Sequence, residues 1–352
     1  MATISRTFGT CSNHRFTETS LRQALWAGST ATCSQGITLS SDRAKIAVIG
    51  AGNVGATCAF VMAERRLGSI VLLDIVEGFA KGKALDMSQG GQILNYDGVI
   101  TGTSDYADIS GADVVVVTSG FPRQPGMTRE DLIAKNADII QQVGEGIREH
   151  APDSIIVMVT NPLDLMTYHI QKVTGFPHER VVGQAGILDS ARMTHFVADA
   201  VGCSNEDVHA MVLGGHGDTM VPLPRYTTVS GISIDQLLDK ETIEALCERT
   251  AGGGGEIVRL LERGSAFYAP GSAAAVMAES ILNDRKRVLP CSAYLSGQYG
   301  MEDVYIGVPV VLGRAGVERI IELDLLEDEL GSLQESGQFY KSQLRDIIGY
   351  NN

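Results

Sequence analysis

The chain has 352 residues, enough for two halves, since one hydrophobic core stops growing at roughly 250 to 300 residues. Its formal charge of −14 argues against sequence-independent binding to nucleic acid or anionic lipid, both of which need basic patches. No run approaches the roughly 18 consecutive apolar residues of a membrane span, so membrane insertion is not expected, and an anionic ligand would have to be drawn in by particular arginines.

Residues 1–43 stand apart. Four arginines against Glu18 and Asp42 make the segment +2 and leave −16 on the remainder. It is rich in Ser and Thr, and its one helical stretch, 20–26, puts Leu21, Ala24 and Leu25 on one face and Arg22 on another. That pattern resembles an organelle transit peptide, mitochondrial before plastid, with a disordered tail as the alternative. The six cysteines, at 11, 33, 58, 203, 247 and 291, lack the spacing of a zinc site or redox dithiol. Reduced thiols and no metal are expected.

From Lys45 a short apolar run stops abruptly at a turn containing Gly50, Gly52 and Gly55. This reads as strand, turn, helix. Gly50 permits the bend, Gly52 lets the backbone approach a pyrophosphate, and Gly55 lets the next helix lie close to the sheet. A glycine triplet is weak evidence in a chain with 40 glycines. Context strengthens it: a second apolar strand, 69–73, delivers Asp74 nineteen residues after Gly55. A carboxylate there can accept hydrogen bonds from adenosine ribose hydroxyls and would repel the 2′-phosphate of NADP, which favours NAD.

Further apolar runs at 99–100, 113–117 and 154–159 alternate with helical stretches. In 130–150, Leu132, Ile133, Ile139, Ile140, Val143 and Ile147 recur at three-to-four spacing, as in a helix lying on a sheet. The expected fold is α/β, a doubly wound parallel sheet of Rossmann type.

The loop 119–129, with two prolines and two glycines, carries Arg123 and Arg129; a loop at a strand end can close over a ligand. Asn161 ends the next apolar strand, able both to donate and to accept. Farther on come Asp189, Arg192 and then His216, which stands between glycines after an apolar run. Oxidising an alcohol needs a base of near-neutral pKa for the hydroxyl proton, and His216 suits it. Asp189 is the natural partner for its far ring nitrogen. Arg192, three residues later on the same helical face, can grip a carboxylate through two parallel hydrogen bonds. The other six histidines lack such a setting.

This ordered set resembles the lactate/malate dehydrogenase family, from Lys45 to the C-terminus. The resemblance implies an NAD-binding domain over 44–186 and a mixed α/β substrate domain over 187–352. It implies His216 as proton acceptor and donor, Asp189 as its partner, Arg192 as clamp on the C1 carboxylate, Arg129 as the group polarising the reacting carbonyl, and Asn161 as a further substrate contact. Gly50, Gly52, Asn53, Val54, Gly55, Asp74, Thr118, Asn136, Thr160 and Asn161 would line the cofactor site. Arg123 would face the variable end of the substrate and select a second carboxylate, favouring malate and oxaloacetate over lactate and pyruvate. A one-residue slip would present Gln124 there instead. The family also implies a homodimer or homotetramer. Two alternatives remain: another 2-hydroxy-acid dehydrogenase such as a lactate enzyme, and a non-catalytic NAD-binding protein.

Two segments call for no additional function. Residues 252–255, four glycines before a helical stretch at 256–263, lack the Lys-Ser or Lys-Thr of a phosphate loop and read as a flexible or closely packed helix start. Residues 327–348 read as a final amphipathic helix.

Overall fold

The computed structural model describes residues 43–121 and 128–350, without the side chains of Arg129 and Ile347. The expected transit helix at 20–26 and the loop 122–127 that carries Arg123 lie outside the described residues.

In chain order, β1 (Lys45–Ile49), α1 (Asn53–Glu64), β2 (Ser69–Leu73), α2 (Glu77–Leu94), β3 (Ile100–Thr103), β4 (Val114–Val117), α3 (Arg129–His150), β5 (Ile155–Met158), α4 (Leu163–Thr174) and β6 (Val181–Gly183) alternate as the sequence implies. The six strands pair in parallel in the order β3-β2-β1-β4-β5-β6. The inner strands are almost purely apolar, β4 being four valines, because helices cover both faces of such a sheet, whereas the edge strand β3 reads Ile-Thr-Gly-Thr. Order reverses between β1 and β4, and the crevice beyond their carboxyl ends is where open α/β sheets bind ligands.

The remainder holds α5 (Gly186–Val201), β7 (Val208–His209), β8 (Val212–Gly214), β9 (Met220–Pro222), β10 (Thr228–Val229), β11 (Ile232–Ser233), α6 (Lys240–Leu261), α7 (Tyr268–Leu282), β12 (Arg287–Ser296), β13 (Glu302–Gly313), β14 (Gly316–Ile320) and α8 (Glu327–Gln343). Ser292 of β12 pairs with Gly183 of β6, so the parallel sheet continues into antiparallel β12, β13, β8 and β9. A small second sheet joins β7, β10 and β11.

One expectation is corrected. Residues 252–255 do not start a helix; α6 runs through them, from an Asp239 cap that accepts from Thr242 N–H at 2.8 Å. Each glycine is about 1 kcal/mol poorer than alanine in a helix interior. Packing offsets this: Gly253 is buried, and an added Cβ would stand 3.2 Å from Arg192 Cδ. On the outer face an Arg249–Glu256 ion pair at 2.9 Å spans the run. At the C-terminus α8 ends at Gln343 and relaxes into one wider π-type turn, Leu344–Ile348.

Candidate active site

The turn after β1 is built around close backbone approaches. Gly50 has φ +104°, which only glycine adopts without strain. A Cβ on Gly55 would fall 1.9 Å from the Gly50 carbonyl oxygen, so α1 can start this near the strand only with glycine there. A Cβ on Gly52 would meet no atom within 4 Å among the described residues. Gly52 also caps α1 with no side-chain hydrogen bond, and the first turn holds no acid. Among the described residues, the first N–H groups of that helix thus have no side-chain cap, a setting for a pyrophosphate. Asn53 opens the helix exposed, and Val54 is half-buried against the core.

Asp74 does more than end a strand. Its Oδ2 accepts from Ala51 N–H at 2.8 Å, inside the turn, and its Oδ1 accepts from Val76 N–H at 3.0 Å. Each oxygen keeps a lone pair for a ribose hydroxyl. These residues fit the adenosine and pyrophosphate parts of a dinucleotide.

A chain of hydrogen bonds leads from this turn across the strand ends. Thr118 Oγ1 donates to the Gly50 carbonyl at 3.0 Å, and Thr160 Oγ1 donates to the Ser119 carbonyl at 2.6 Å. Asn136, 2 % exposed on α3, accepts from Phe121 N–H at 2.6 Å and donates to the Asn161 carbonyl at 2.7 Å. Thr160 is also buried. Side chains expected to line the cofactor site thus brace its backbone. Asn161 is exposed at the cleft. Arg129 is the first residue of α3, behind a capping box between Thr128 and Asp131; the expectations for its side chain and for Arg123 fall outside the described residues.

The second half supplies the ionisable groups. Asp189, 1 % exposed in the first turn of α5, holds His216 Nδ1 at 2.8 Å with Oδ2 and Arg192 Nη1 at 2.9 Å with Oδ1. The three residues expected from the sequence to act together are thus in contact. Burial alone would lower the His216 pKa, but the charge and hydrogen bond of Asp189 outweigh it and leave the imidazole above its ordinary value; Arg192 opposes and Asp164 assists. The loop that presents His216 is anchored from behind: Gly215 N–H donates to Ser336 Oγ of α8 at 3.0 Å, and a Cβ on Gly215 would strike Tyr340.

Sequence reasoning missed Asp164. It lies in the first turn of α4, 1 % exposed, and its Oδ2 accepts from His216 N–H at 2.9 Å while its Oδ1 accepts from Ser292 Oγ at 2.6 Å. Burial pushes its carboxyl up to about 6, against the pull of those two bonds. Its position three residues beyond Asn161, at the same strand end, was the available signal. His169 and His178 sit elsewhere: His169 bonds the Ala137 carbonyl and Tyr350, and His178 stacks on Tyr294 with ring centroids 3.6 Å apart. Among the described residues no cluster of three His, Cys, Asp or Glu is placed to hold a metal, and no helix is long and apolar enough to cross a membrane.

Known proteins share this architecture. Residues 44–183 match the lactate/malate dehydrogenase NAD binding domain, and residues 187–349 match the lactate/malate dehydrogenase alpha/beta C-terminal domain. The chain is 54 % identical over 308 residues to malate dehydrogenase 1 of Anaeromyxobacter dehalogenans, covering 87 % of this chain and 99 % of that one. Among solved structures, the apo malate dehydrogenase of Picrophilus torridus is 50 % identical, with a TM-score of 0.84 over 86 % of this chain and 96 % of that one. A lactate dehydrogenase of Cryptosporidium parvum, complexed with lactic acid and nicotinamide adenine dinucleotide, is 41 % identical, with a TM-score of 0.85 over 88 % of this chain and 99 % of that one.

Proposed function

The chain belongs to the lactate/malate dehydrogenase family, and from that premise we infer that it oxidises malate to oxaloacetate reversibly with NAD. NAD is the cofactor, and the substrate is a small dicarboxylate. The observation that carries the chemistry is that the buried carboxylate of Asp189 grips both His216 and Arg192.

Bound at the turn 50–55, NAD supplies the acceptor for the hydride that leaves C2 of malate. The protein handles the proton and the position of the substrate. Asp189 takes the hydrogen bond from His216 Nδ1, which leaves Nε2 as the basic nitrogen. Nε2 receives the hydroxyl proton as the carbonyl forms and returns it in the reverse direction. The imidazolium so formed is stabilised by Asp189. Arg192, its guanidinium braced by Asp189, clamps the C1 carboxylate and sets C2 against the base. Arg129 polarises the carbonyl, Asn161 bonds the substrate, and Arg123 pairs with the second carboxylate. Pyruvate would leave that last cation unpaired, at about 1 to 3 kcal/mol. Residues 44–186 bind the cofactor and 187–352 supply the proton-transfer groups.

Steady-state assay of the purified chain with oxaloacetate and pyruvate, each with NADH and NADPH, tests the reading. Oxaloacetate with NADH is expected to give the highest kcat/KM; faster turnover of pyruvate at equal concentration would overturn it.

The same reading makes the protein a homodimer or homotetramer, measurable by light scattering. Independently of that reading, the basic, Ser- and Thr-rich composition of residues 1–43 supports an organelle transit peptide, with a disordered tail as the alternative, and N-terminal sequencing of the native protein shows whether they are removed.

A further inference from the structure

The carboxylate of Asp164 is enclosed by three separate parts of the chain. It starts α4, at the end of the parallel strand β5; one oxygen meets the main chain of His216, just past β8, and the other meets Ser292 of β12, a residue with no exposed surface. The sequence distances are 52 residues to His216 and 128 to Ser292. The contact therefore joins the half that binds the cofactor to the half that carries the acid and base.

We propose that Asp164 is a positioning residue for proton transfer, fixing the main chain of His216 against the cofactor-binding sheet and placing a second negative charge behind the imidazole. This rests on His216 being the acid/base group. Among the described residues, the charged groups that act on the ring are Asp189 and Arg192 from α5 and Asp164 from α4. Asp189 acts most strongly, Arg192 opposes it, and Asp164 adds its charge to that of Asp189.

A scaffold role alone does not need a carboxylate. An asparagine at 164 would satisfy the same two neighbours, accepting from His216 N–H with its oxygen and donating to Ser292 Oγ with its amide, since a serine hydroxyl can rotate to accept. It would do so without burying a charge, which is costly in a dry site. What the carboxylate adds is its charge; burial pushes its carboxyl up to about 6, so it is ionised above that pH.

The test compares Asp164→Asn, Asp164→Ala and His216→Asn in the full-length protein. Asp164→Asn is expected to fold, to bind NADH as the parent does, and to shift the high-pH limb of oxaloacetate reduction down by about half a unit, a threefold change in the ratio of imidazolium to imidazole. Asp164→Ala, which frees the His216 main chain, is expected to lose about 100-fold in kcat with the NADH Kd unchanged, as a displacement near 1 Å can cause. A parental pH limb in Asp164→Asn together with parental kcat in Asp164→Ala would overturn the proposal. Should Asp164→Ala fail to fold, the pH limb of Asp164→Asn decides alone. His216→Asn separates the two readings. Retained turnover there removes His216 as acid/base and the role of Asp164 with it, whereas lost turnover beside Asp164 variants that match the parent refutes Asp164 only.

Discussion

Asp189 and His216 share a hydrogen bond of 2.8 Å in which the aspartate side chain is only 2 % exposed. The carboxylate orients the ring, sets its tautomer and raises its affinity for a proton. Asp189→Asn keeps the shape but offers the ring either a competing N–H or a weaker acceptor. Turnover is expected to fall roughly 10,000-fold with NADH binding intact, read by stopped-flow and fluorescence titration. The sign of the pH effect follows. Reduction of oxaloacetate needs imidazolium, so its rate is full at low pH and declines above a pKa that lies over the ordinary 6.5. In Asp189→Asn that decline moves to lower pH.

Stability should carry the signature of Asp164. Its carboxyl titrates at about 6 in the folded protein against an ordinary 3.8, so between those values the folded state holds a proton that the unfolded chain has released. Stability from this group therefore falls as pH rises through that window and is fully lost above it. About two pKa units correspond to roughly 3 kcal/mol. Asp164→Asn lacks this titration, so its Tm is expected to gain on the parent from pH 4 to pH 7. A constant Tm difference across that range would contradict the burial of an ionised Asp164.

Gly253 sets a different trade. Alanine in its place gains up to about 1 kcal/mol of helix propensity, yet its Cβ would press on Arg192 Cδ at 3.2 Å. Gly253→Ala is expected to keep or raise Tm while raising KM for oxaloacetate severalfold. Gly255→Ala, where a Cβ meets nothing within 4 Å, is expected to raise Tm with KM unchanged. Equal KM values in the two variants would dissociate α6 from the substrate clamp.

Removing Asp74 should reach the cofactor twice over. Asp74→Ala takes away the acceptor for the ribose and the bond to Ala51 N–H that holds the turn. Charge-assisted hydrogen bonds are worth about 1.5 to 3 kcal/mol, so KM for NADH is expected to rise 10- to 100-fold while NADPH suffers less. An unchanged NADH-to-NADPH preference would remove the selectivity role from Asp74.

What could be read from the sequence was local. The strand, glycine turn and helix from Lys45, the carboxylate of Asp74, and the Asp189–Arg192 pair each lie within a few residues of their structural cue, and periodicity or turn chemistry announces them. The run 252–255 misled because glycine propensity points to a break, while its true surroundings, Arg192 and the Arg249–Glu256 pair, arise from packing. Asp164 was hidden for another reason. An acid in the first turn of a helix is ordinary, since it suits the helix dipole; only the approach of Ser292 and His216 from distant segments shows what it touches.

The support of Gly215 by Ser336 and Tyr340 bears on when activity can arise during synthesis. Domains fold from the N-terminus as the chain emerges, and the cofactor half has all its parallel strands by residue 183. The histidine loop then waits more than a hundred residues for its backing, since Ser336 lies 121 positions beyond Gly215. A nascent chain would thus have a dinucleotide cleft long before it could move a proton. Premature stops in α8 would act as active-site lesions despite falling at the far end of the reading frame.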